Sequence, residues 1–182
     1  NMVRFDMFLR YGVISAQGDR HTAEFCPPWY IKNPKVISSW KFSLISVNYL
    51  RKRKSERLLK SKRLMNGEEQ LRIGPSGNDC ILQIKALMGL NNLITNVDMP
   101  NMGQVSNLPT GCIVQTNALF SNNSIKPIIS GALPDEIAGL TIRHIQNQDT
   151  IVKSVFEKDL DIAFNAFLND SLMTADLASA TE

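Results

Sequence analysis

Three side chains that can exchange protons lie within six residues near the start of the chain. Asp19, His21 and Glu24 bring a carboxylate, an imidazole and a second carboxylate into one short segment. Such a set can act in general acid–base catalysis, because these groups take up and release protons near neutral pH. Polar side chains of loops are also often solvated or cap a neighbouring helix, and the local sequence leaves that alternative open.

A second polar segment, 93–109, carries amides and turn-forming residues. Asn96 and Asn101 stand in it, the latter within a Pro-Asn-Met-Gly sequence that is typical of a turn. These two amides could face a ligand or could build the turn, and the sequence favours neither.

The elements that must position these residues are of two kinds, and together they predict an α+β fold with long helices and a small antiparallel sheet. The helical pattern covers 2–11, one long helix from Asn33-Pro34 to 66, 79–88, 134–156 and 159–168. The strand pattern covers 93–97, 112–120 and 125–129, the last two as a hairpin with Pro127 at a sheet edge. An irregular loop is expected at 14–31, a turn at 74–77 and a loosely held tail at 174–182.

The chain reads as a single domain over residues 1–182. It has neither the strand–helix alternation of a doubly wound fold nor a G-x-G-x-x-G motif, so we expect no NAD site in this polypeptide alone. Cys26, Cys80 and Cys112 are odd in number and widely spaced. They predict buried free thiols and no zinc site or disulfide framework.

Charge is concentrated in one short stretch. The net charge is +3, but eight of the 20 basic residues lie within 51–63. A nucleic-acid surface is one interpretation, but no aromatic residues interleave with the cations, so we favour the solvated end of a helix and expect no nucleic-acid partner. No apolar run of about 18 residues occurs, and Arg4, Asp6 and Arg10 interrupt the first segment, which predicts no membrane span, no leader and a cytoplasmic location.

Six ordered segments resemble glycoside hydrolase family 4, the sugar-cleaving enzymes that use NAD and a divalent metal. They are V-R-x-D-M-F-x-R-Y-G at 3–12, G-D-R-H-x-x-E-F at 18–25, S-W-K-F at 39–42, the 96–109 segment that is similar to N-x-x-N-x-G-x-I-x-N-L-P, V-Q-T-N-A-L-F at 114–120 and G-A-L-P at 131–134.

The resemblance implies the C-terminal, lactate/malate dehydrogenase-like half of such an enzyme, without the N-terminal NAD-binding Rossmann domain. The complete enzyme would need NAD and Mn²⁺ and would form homo-oligomers, whereas the isolated half would bind neither cofactor and be inactive. Its partners would be its own N-terminal domain and a sugar. The second and third segments are most similar to α-galacturonidases. An α-galactosidase or α-glucosidase of the same family is the alternative, as is a non-catalytic assembly module with an interface formed by the long helix and the last helix.

The resemblance also implies a reaction: oxidation of the sugar at C3 by NAD, removal of the C2 proton, metal-stabilised elimination of the glycosidic oxygen, addition of water and reduction of C3. Asp19 matches the C2 base, with Tyr30 and Tyr11 as alternatives. His21 and Glu24 would orient the substrate or the metal-bound water.

A uronic acid would need a partner for its C6 carboxylate. Arg20 or Arg143 could supply that partner through a bidentate fork, although for Arg143 a surface or interhelical contact is favoured. His144 reads as a structural histidine. Gln115 departs from the family pattern, because many relatives carry a glutamate there.

Overall fold

The computed structural model describes residues 1–72, 74, 77, 79–173, 176 and 179. Within these residues the elements are α1 (Met2–Tyr11), α2 (Asp19–Glu24), α3 (Pro34–Ser39), α4 (Val47–Met65), α5 (Cys80–Leu87), β1 (Leu93–Pro100), β2 (Ile113–Ser121), β3 (Ser124–Pro127), α6 (Asp135–Glu157) and α7 (Leu160–Leu168). The α+β prediction is confirmed. Most of the expected tail, and the Pro75-Ser76 part of the expected turn, lie outside the described residues.

Several helix ends follow their capping residues as predicted. Gly12 ends α1 in a left-handed conformation, φ 71°, and its N–H donates to Phe8 O at 2.8 Å. Asn33 caps α3 by accepting from two backbone N–H groups, and the side chain of Asp159 does the same for α7. These caps satisfy backbone groups that a helix end leaves without an internal partner.

Two predictions about the region between α1 and α5 are wrong. The segment 14–31 is not wholly irregular, because it contains α2, which is too short to give a periodic signal. The expected long helix is two helices, because Lys41 adopts φ 55° after α3 and Ser46 caps a new helix by accepting from Tyr49 N at 3.2 Å. A left-handed residue followed by a fresh N-cap ends one helix and starts another.

The sheet is antiparallel with strand order β1-β2-β3. Asn96 lies opposite Asn117, and a turn with Asn123 at φ 49° joins the predicted hairpin. Pro127 is the last residue of the edge strand, as expected where its missing N–H costs nothing. One face of the sheet packs on α5 through Phe120 and Ala118, and the other face remains open.

A second core lies beside the sheet and binds α1 to α2 and the segment that follows. Its buried members are Val3, Met7, Ala23, Cys26 and Tyr30. All three cysteines are free, but only Cys26 is fully buried; Cys80 is exposed and Cys112 is partly exposed. The expectation of buried thiols is therefore wrong for Cys80, which starts α5 on its outer side. Among the described helices, none has the length and apolarity that crossing a bilayer requires.

Candidate active site

Asp19 faces inward, toward the first turn of α1. Its carboxylate is 9% exposed, and Oδ1 accepts a hydrogen bond from Arg4 N at 3.1 Å while Oδ2 lies 3.1 Å from the nitrogen of Asn1. Burial raises the pKa of Asp19, and the backbone N–H groups of Arg4 and Val3 oppose this by donating hydrogen bonds to its carboxylate. The carboxylate satisfies free N–H groups at the start of a helix, where negative charge is also favoured.

His21 and Glu24 lie on the outer side of α2. His21 Nδ1 is 3.1 Å from Glu24 Oε2, and the two side chains are 50% and 38% exposed. This contact places a proton on Nδ1 and leaves Nε2 open to solvent. Arg20, on the same helix, has its Nε enclosed without a hydrogen-bond partner among the described residues. Of the four residues predicted on this segment, His21 and Glu24 are paired and partly exposed, Arg20 is partly enclosed beside them on α2, and Asp19 is turned away toward α1.

Asn101 builds the loop between β1 and β2. It is 1% exposed; Nδ2 donates to the carbonyls of Val105 and Leu108 at 3.0 Å, and Oδ1 accepts from Val105 N at 3.1 Å. The turn-building alternative is therefore the one observed. Asn96 instead lies exposed on the open face of the sheet, opposite Asn117 and beside Asp98.

Two further amides of this segment were not predicted to have a role. Gln104 is 2% exposed, accepts from Met102 N and donates to Pro100 O at 3.0 Å. Asn107 exchanges two hydrogen bonds with Leu133, just ahead of α6. The 96–109 motif thus fastens the β1–β2 loop to the start of α6.

Arg143 and His144 hold α6 against its neighbours. Arg143 donates from Nε and Nη2 to Asn169 O, at 3.2 and 3.0 Å, where α7 ends. His144 Nε2 donates to Phe25 O at 2.8 Å, and its ring meets that of Phe25 edge-on. Arg143 therefore makes the interhelical contact, and its guanidinium is engaged by Asn169 O rather than left unpaired for a carboxylate. His144 makes the structural contacts that were expected of it.

A cavity of about 440 Å³ lies between α1, α6 and the 13–17 segment. Its walls are mainly apolar and include Met7, Ile14, Phe25, Ile137, Leu140 and His144. None of the predicted site residues lines it, and its apolar walls do not suit a polyhydroxylated ligand.

A smaller cavity, of about 300 Å³, lies at the C-terminal end of α1 and is called here the aromatic cleft. It is lined by Asp6, Arg10, Tyr11, Trp29, Tyr30 and Trp40. Arg10 Nε and Tyr30 Oη both donate to Asp6 Oδ2, at 2.8 and 2.7 Å. Both tyrosines named as alternative bases line this cleft. The i, i+4 spacing of Asp6 and Arg10 on α1 was the sequence signal that could have indicated it.

Electrostatics fixes the protonation of the groups in the cleft. The hydrogen bond from Arg10, with that from Tyr30, lowers the pKa of Asp6 despite its partial burial. Burial and the adjoining Asp6 raise the pKa of Tyr30, whose side chain is almost fully enclosed. Asp6 is therefore a carboxylate and Tyr30 a neutral phenol near neutral pH. Over the described ranges, no three His, Cys, Asp or Glu side chains come together as a metal site would require.

Sequence comparison identifies the family. Residues 1–173 match the family described as the family 4 glycosyl hydrolase C-terminal domain. The chain belongs to this family. It is 49% identical to an α-galacturonidase of Thermoanaerobacterium saccharolyticum over 98% of the chain and 38% of that protein. It is 22% identical to an α-galactosidase of Bacillus subtilis over 98% of the chain and 41% of that protein.

Solved structures of the family share this fold. A Bacillus subtilis protein named as the glucosidase lplD superposes with a TM-score of 0.88 at 44% identity, over 98% of this chain and 41% of that chain. A Thermotoga maritima 6-phospho-β-glucosidase, solved with manganese, NAD⁺ and glucose-6-phosphate, gives a TM-score of 0.60 at 18% identity, over 85% of this chain and 37% of that chain. This family 4 chain therefore spans less than half of the length of the relatives it matches.

Proposed function

We propose that this chain is the substrate-binding C-terminal half of an α-galacturonidase. The observation that carries the proposal is the contrast in identity, 49% to a named α-galacturonidase against 22% to a named α-galactosidase, over the same 98% of the chain. Both fold class and family are common to the two activities, so the higher identity favours the uronic acid substrate. An α-galactoside or α-glucoside remains the second candidate.

NAD and Mn²⁺ would belong to the rest of the longer protein. The described residues supply neither a metal-ligand cluster nor the strand–helix crossovers of a dinucleotide site. The proposed roles of this chain are therefore limited to its own side chains. In the complete enzyme NAD and Mn²⁺ would supply the oxidation at C3 and the stabilisation of negative charge on the sugar.

The C2 base is the role that this chain could contribute. Asp19 is buried and accepts a hydrogen bond from a backbone N–H in the first turn of α1, which favours a positioning role. Tyr30 is held by Asp6 and buried. Tyr11 is partly exposed and lines the aromatic cleft together with Arg10, so we propose that Tyr11, in its phenolate form, takes up the C2 proton and becomes a neutral phenol. His21, Glu24 and Arg20 remain proposed as polar contacts to parts of the substrate other than the C6 carboxylate.

The surface of the chain favours contacts with further protein. It exposes 13440 Å², whereas a folded monomer of 20.4 kDa exposes about 8,800 Å². No residue of α4 is buried, and an apolar group at the junction of α6 and α7 is at least 48% exposed: Ile151, Val152, Val155, Phe156 and Leu160. We propose that the N-terminal domain and a second copy cover these surfaces. Phe156→Asp in the complete protein would then give a smaller species in light scattering, whereas an unchanged mass would count against a role for this group in assembly.

The reaction is tested on the complete protein that contains this chain, with NAD and Mn²⁺ in D₂O. An α-galacturonide and the matching α-galactoside are compared for cleavage and for deuterium at C2. Cleavage and exchange of the galacturonide are expected. Turnover of the galactoside alone would move the proposal to α-galactosidase, and exchange with neither sugar would refute the oxidation and elimination route.

Two variants separate the candidate bases. Asp19→Asn keeps the side-chain oxygen that accepts from Arg4 N, so a folded variant isolates the effect of the lost charge. Tyr11→Phe removes only the phenol oxygen. Loss of C2 exchange in Tyr11→Phe but not in Asp19→Asn is the expected result. The reverse pattern would assign the base to Asp19.

A further inference from the structure

Two indole and two phenol rings meet an ion pair at the C-terminal end of α1. The ring centroids of Tyr30 and Trp40 are 4.9 Å apart and nearly perpendicular, and Trp29 meets Tyr30 edge-on at 6.3 Å. Trp29 remains 48% exposed. The walls therefore present aromatic surface toward solvent in a cavity of about 300 Å³, which is the lower end of the size of ligand pockets.

The ion pair in this cleft has unused hydrogen-bonding capacity. Asp6 receives both of its bonds on Oδ2, from Arg10 and from Tyr30, and within the described part of the chain Oδ1 has no partner. Arg10 contributes only Nε to the pair, and its side chain is 60% exposed. Among the described residues the two terminal nitrogens of Arg10 have no partner, so they can hold a carboxylate from outside, and Asp6 Oδ1 can accept a hydrogen bond from a hydroxyl group.

We propose that the aromatic cleft binds one uronic acid ring, with Arg10 pairing the C6 carboxylate and Trp29 packing against the C–H face of the sugar. A pyranose ring has an apolar face, hydroxyl donors and, in a uronide, one negative charge. The cleft offers Trp29 for the apolar face, Asp6 Oδ1 for a hydroxyl donor and Arg10 for the charge. A cationic ligand, the other usual occupant of an aromatic cage, is disfavoured because the exposed guanidinium of Arg10 would repel it, whereas the carboxylate of Asp6 is largely covered by Arg10 and Tyr30.

This assignment replaces the arginines expected from sequence. Arg143 is occupied by Asn169 O. Arg20 and its neighbour Asp19 lie at the N-terminal end of α1, about 10 Å of helix away from Tyr11. Arg10 shares the cleft with the proposed base Tyr11, so the carboxylate and the C2 proton would be held in one place. Only the choice of sugar rests on the proposed function.

The cleft can be tested by binding alone, because both tryptophans of the chain line it. In the complete protein, labelled with ¹⁵N and kept free of NAD so that no turnover occurs, the indole N–H signals of Trp29 and Trp40 report this cleft once they are assigned through Trp29→Phe and Trp40→Phe. The probes are methyl α-D-galacturonide and methyl α-D-galactoside, which differ only at C6. We expect saturable shifts of the indole signals, with the galacturonide binding at least about tenfold more tightly, as a charge-assisted fork implies.

Four variants decide which residues bind. Trp29→Ala is expected to abolish binding of both sugars, whereas Phe167→Ala, at a ring of similar exposure on α7, leaves it unchanged. Arg10→Lys is expected to remove most of the preference for the galacturonide, whereas Arg53→Lys on exposed α4 retains it. Unshifted indole signals with the galacturonide, or a preference that survives Arg10→Lys, would overturn the proposal. Binding is measured without turnover, so failure of the cleft and failure of the proposed activity give different results.

Discussion

Asn107 and Leu133, 26 residues apart, exchange two hydrogen bonds: Asn107 Nδ2 donates to Leu133 O at 2.8 Å, and Leu133 N donates to Asn107 Oδ1 at 2.9 Å. The side-chain amide thus takes the place of a neighbouring strand. It closes the β1–β2 loop onto the segment that leads into α6, where Val105 also forms a bridge with Gly131. The loop and the helix are held as one unit by this pair.

Asn107→Ala is expected to destabilise the chain by about 2 kcal/mol, because it leaves a backbone N–H and a backbone C=O in a partly buried place without partners. Urea denaturation of the 182-residue chain measures the loss. Ser106→Ala, at the exposed neighbouring position, serves as the control and should change little. Equal midpoints for the two variants would show that the pair is solvated rather than structural.

The same substitution at two glycines should have opposite effects. Gly12 ends α1 at φ 71°, where an alanine costs about 1 kcal/mol in strain. Gly139 lies exposed inside α6 with open space around its Cα, so alanine there should stabilise by about 0.5–1 kcal/mol. Thermal unfolding of both variants gives the comparison. A stabilising Gly12→Ala would contradict the left-handed helix end.

Local signals predicted much of the fold, and the errors have a common cause. Gly12, Asn33 and Asp159 end or start helices by contacts within a few residues, so the sequence indicates them directly. The break between α3 and α4 depends on the positive φ of Lys41, a residue type with no preference for that conformation. Such a break accompanies the packing of Trp40 on the second core, the one that contains Val3 and Tyr30, and it is invisible to periodicity.

The candidate site was harder to predict for a related reason. Asp19, His21 and Glu24 are close in sequence, but only His21 and Glu24 are in contact, whereas Asp19 points inward toward α1. The aromatic cleft instead joins Asp6 to Tyr30, 24 residues away. Residue types alone could not distinguish these two arrangements, because the pairing depends on how α1 packs against the segment after α2.

Acid should weaken the fold partly through Asp6. Its folded-state pKa lies below the ordinary value of 3.8, because Arg10 and Tyr30 donate to the carboxylate. The resulting stabilisation is present above that ordinary value and is lost as the pH falls through the lower folded pKa. Asp6→Asn should therefore show a smaller loss of unfolding free energy between about pH 6 and pH 3 than the unmodified chain. Asp98 is exposed on the open face of the sheet, so Asp98→Asn should leave the pH dependence of the unfolding free energy unchanged. If Asp6→Asn also leaves that pH dependence unchanged, Asp6 does not contribute to the acid sensitivity of the fold.

Alkylation should distinguish the three thiols. Cys26 is 2% exposed, and burial raises its pKa to about 11, so only about one Cys26 thiol in a thousand is ionised at pH 8. Cys80 is exposed and should react with iodoacetamide first, followed by Cys112. Mass spectrometry of timed samples gives the order in which the three thiols are alkylated. In denaturant all three thiols should react at similar rates. Early labelling of Cys26 would indicate that the second core opens readily.

Substitution of Arg143 distinguishes a structural role of this residue from a role in substrate binding. Its guanidinium donates twice to Asn169 O, so Arg143→Ala should lower the free energy of unfolding by about 1 kcal/mol while leaving the KM for a galacturonide unchanged in the complete protein. Lys153→Ala, which removes only an exposed ion pair with Glu157 on the same helix, should affect neither quantity. A raised KM with unchanged stability would return Arg143 to the sugar site and weaken the assignment of Arg10, because one uronate carboxylate needs one such partner.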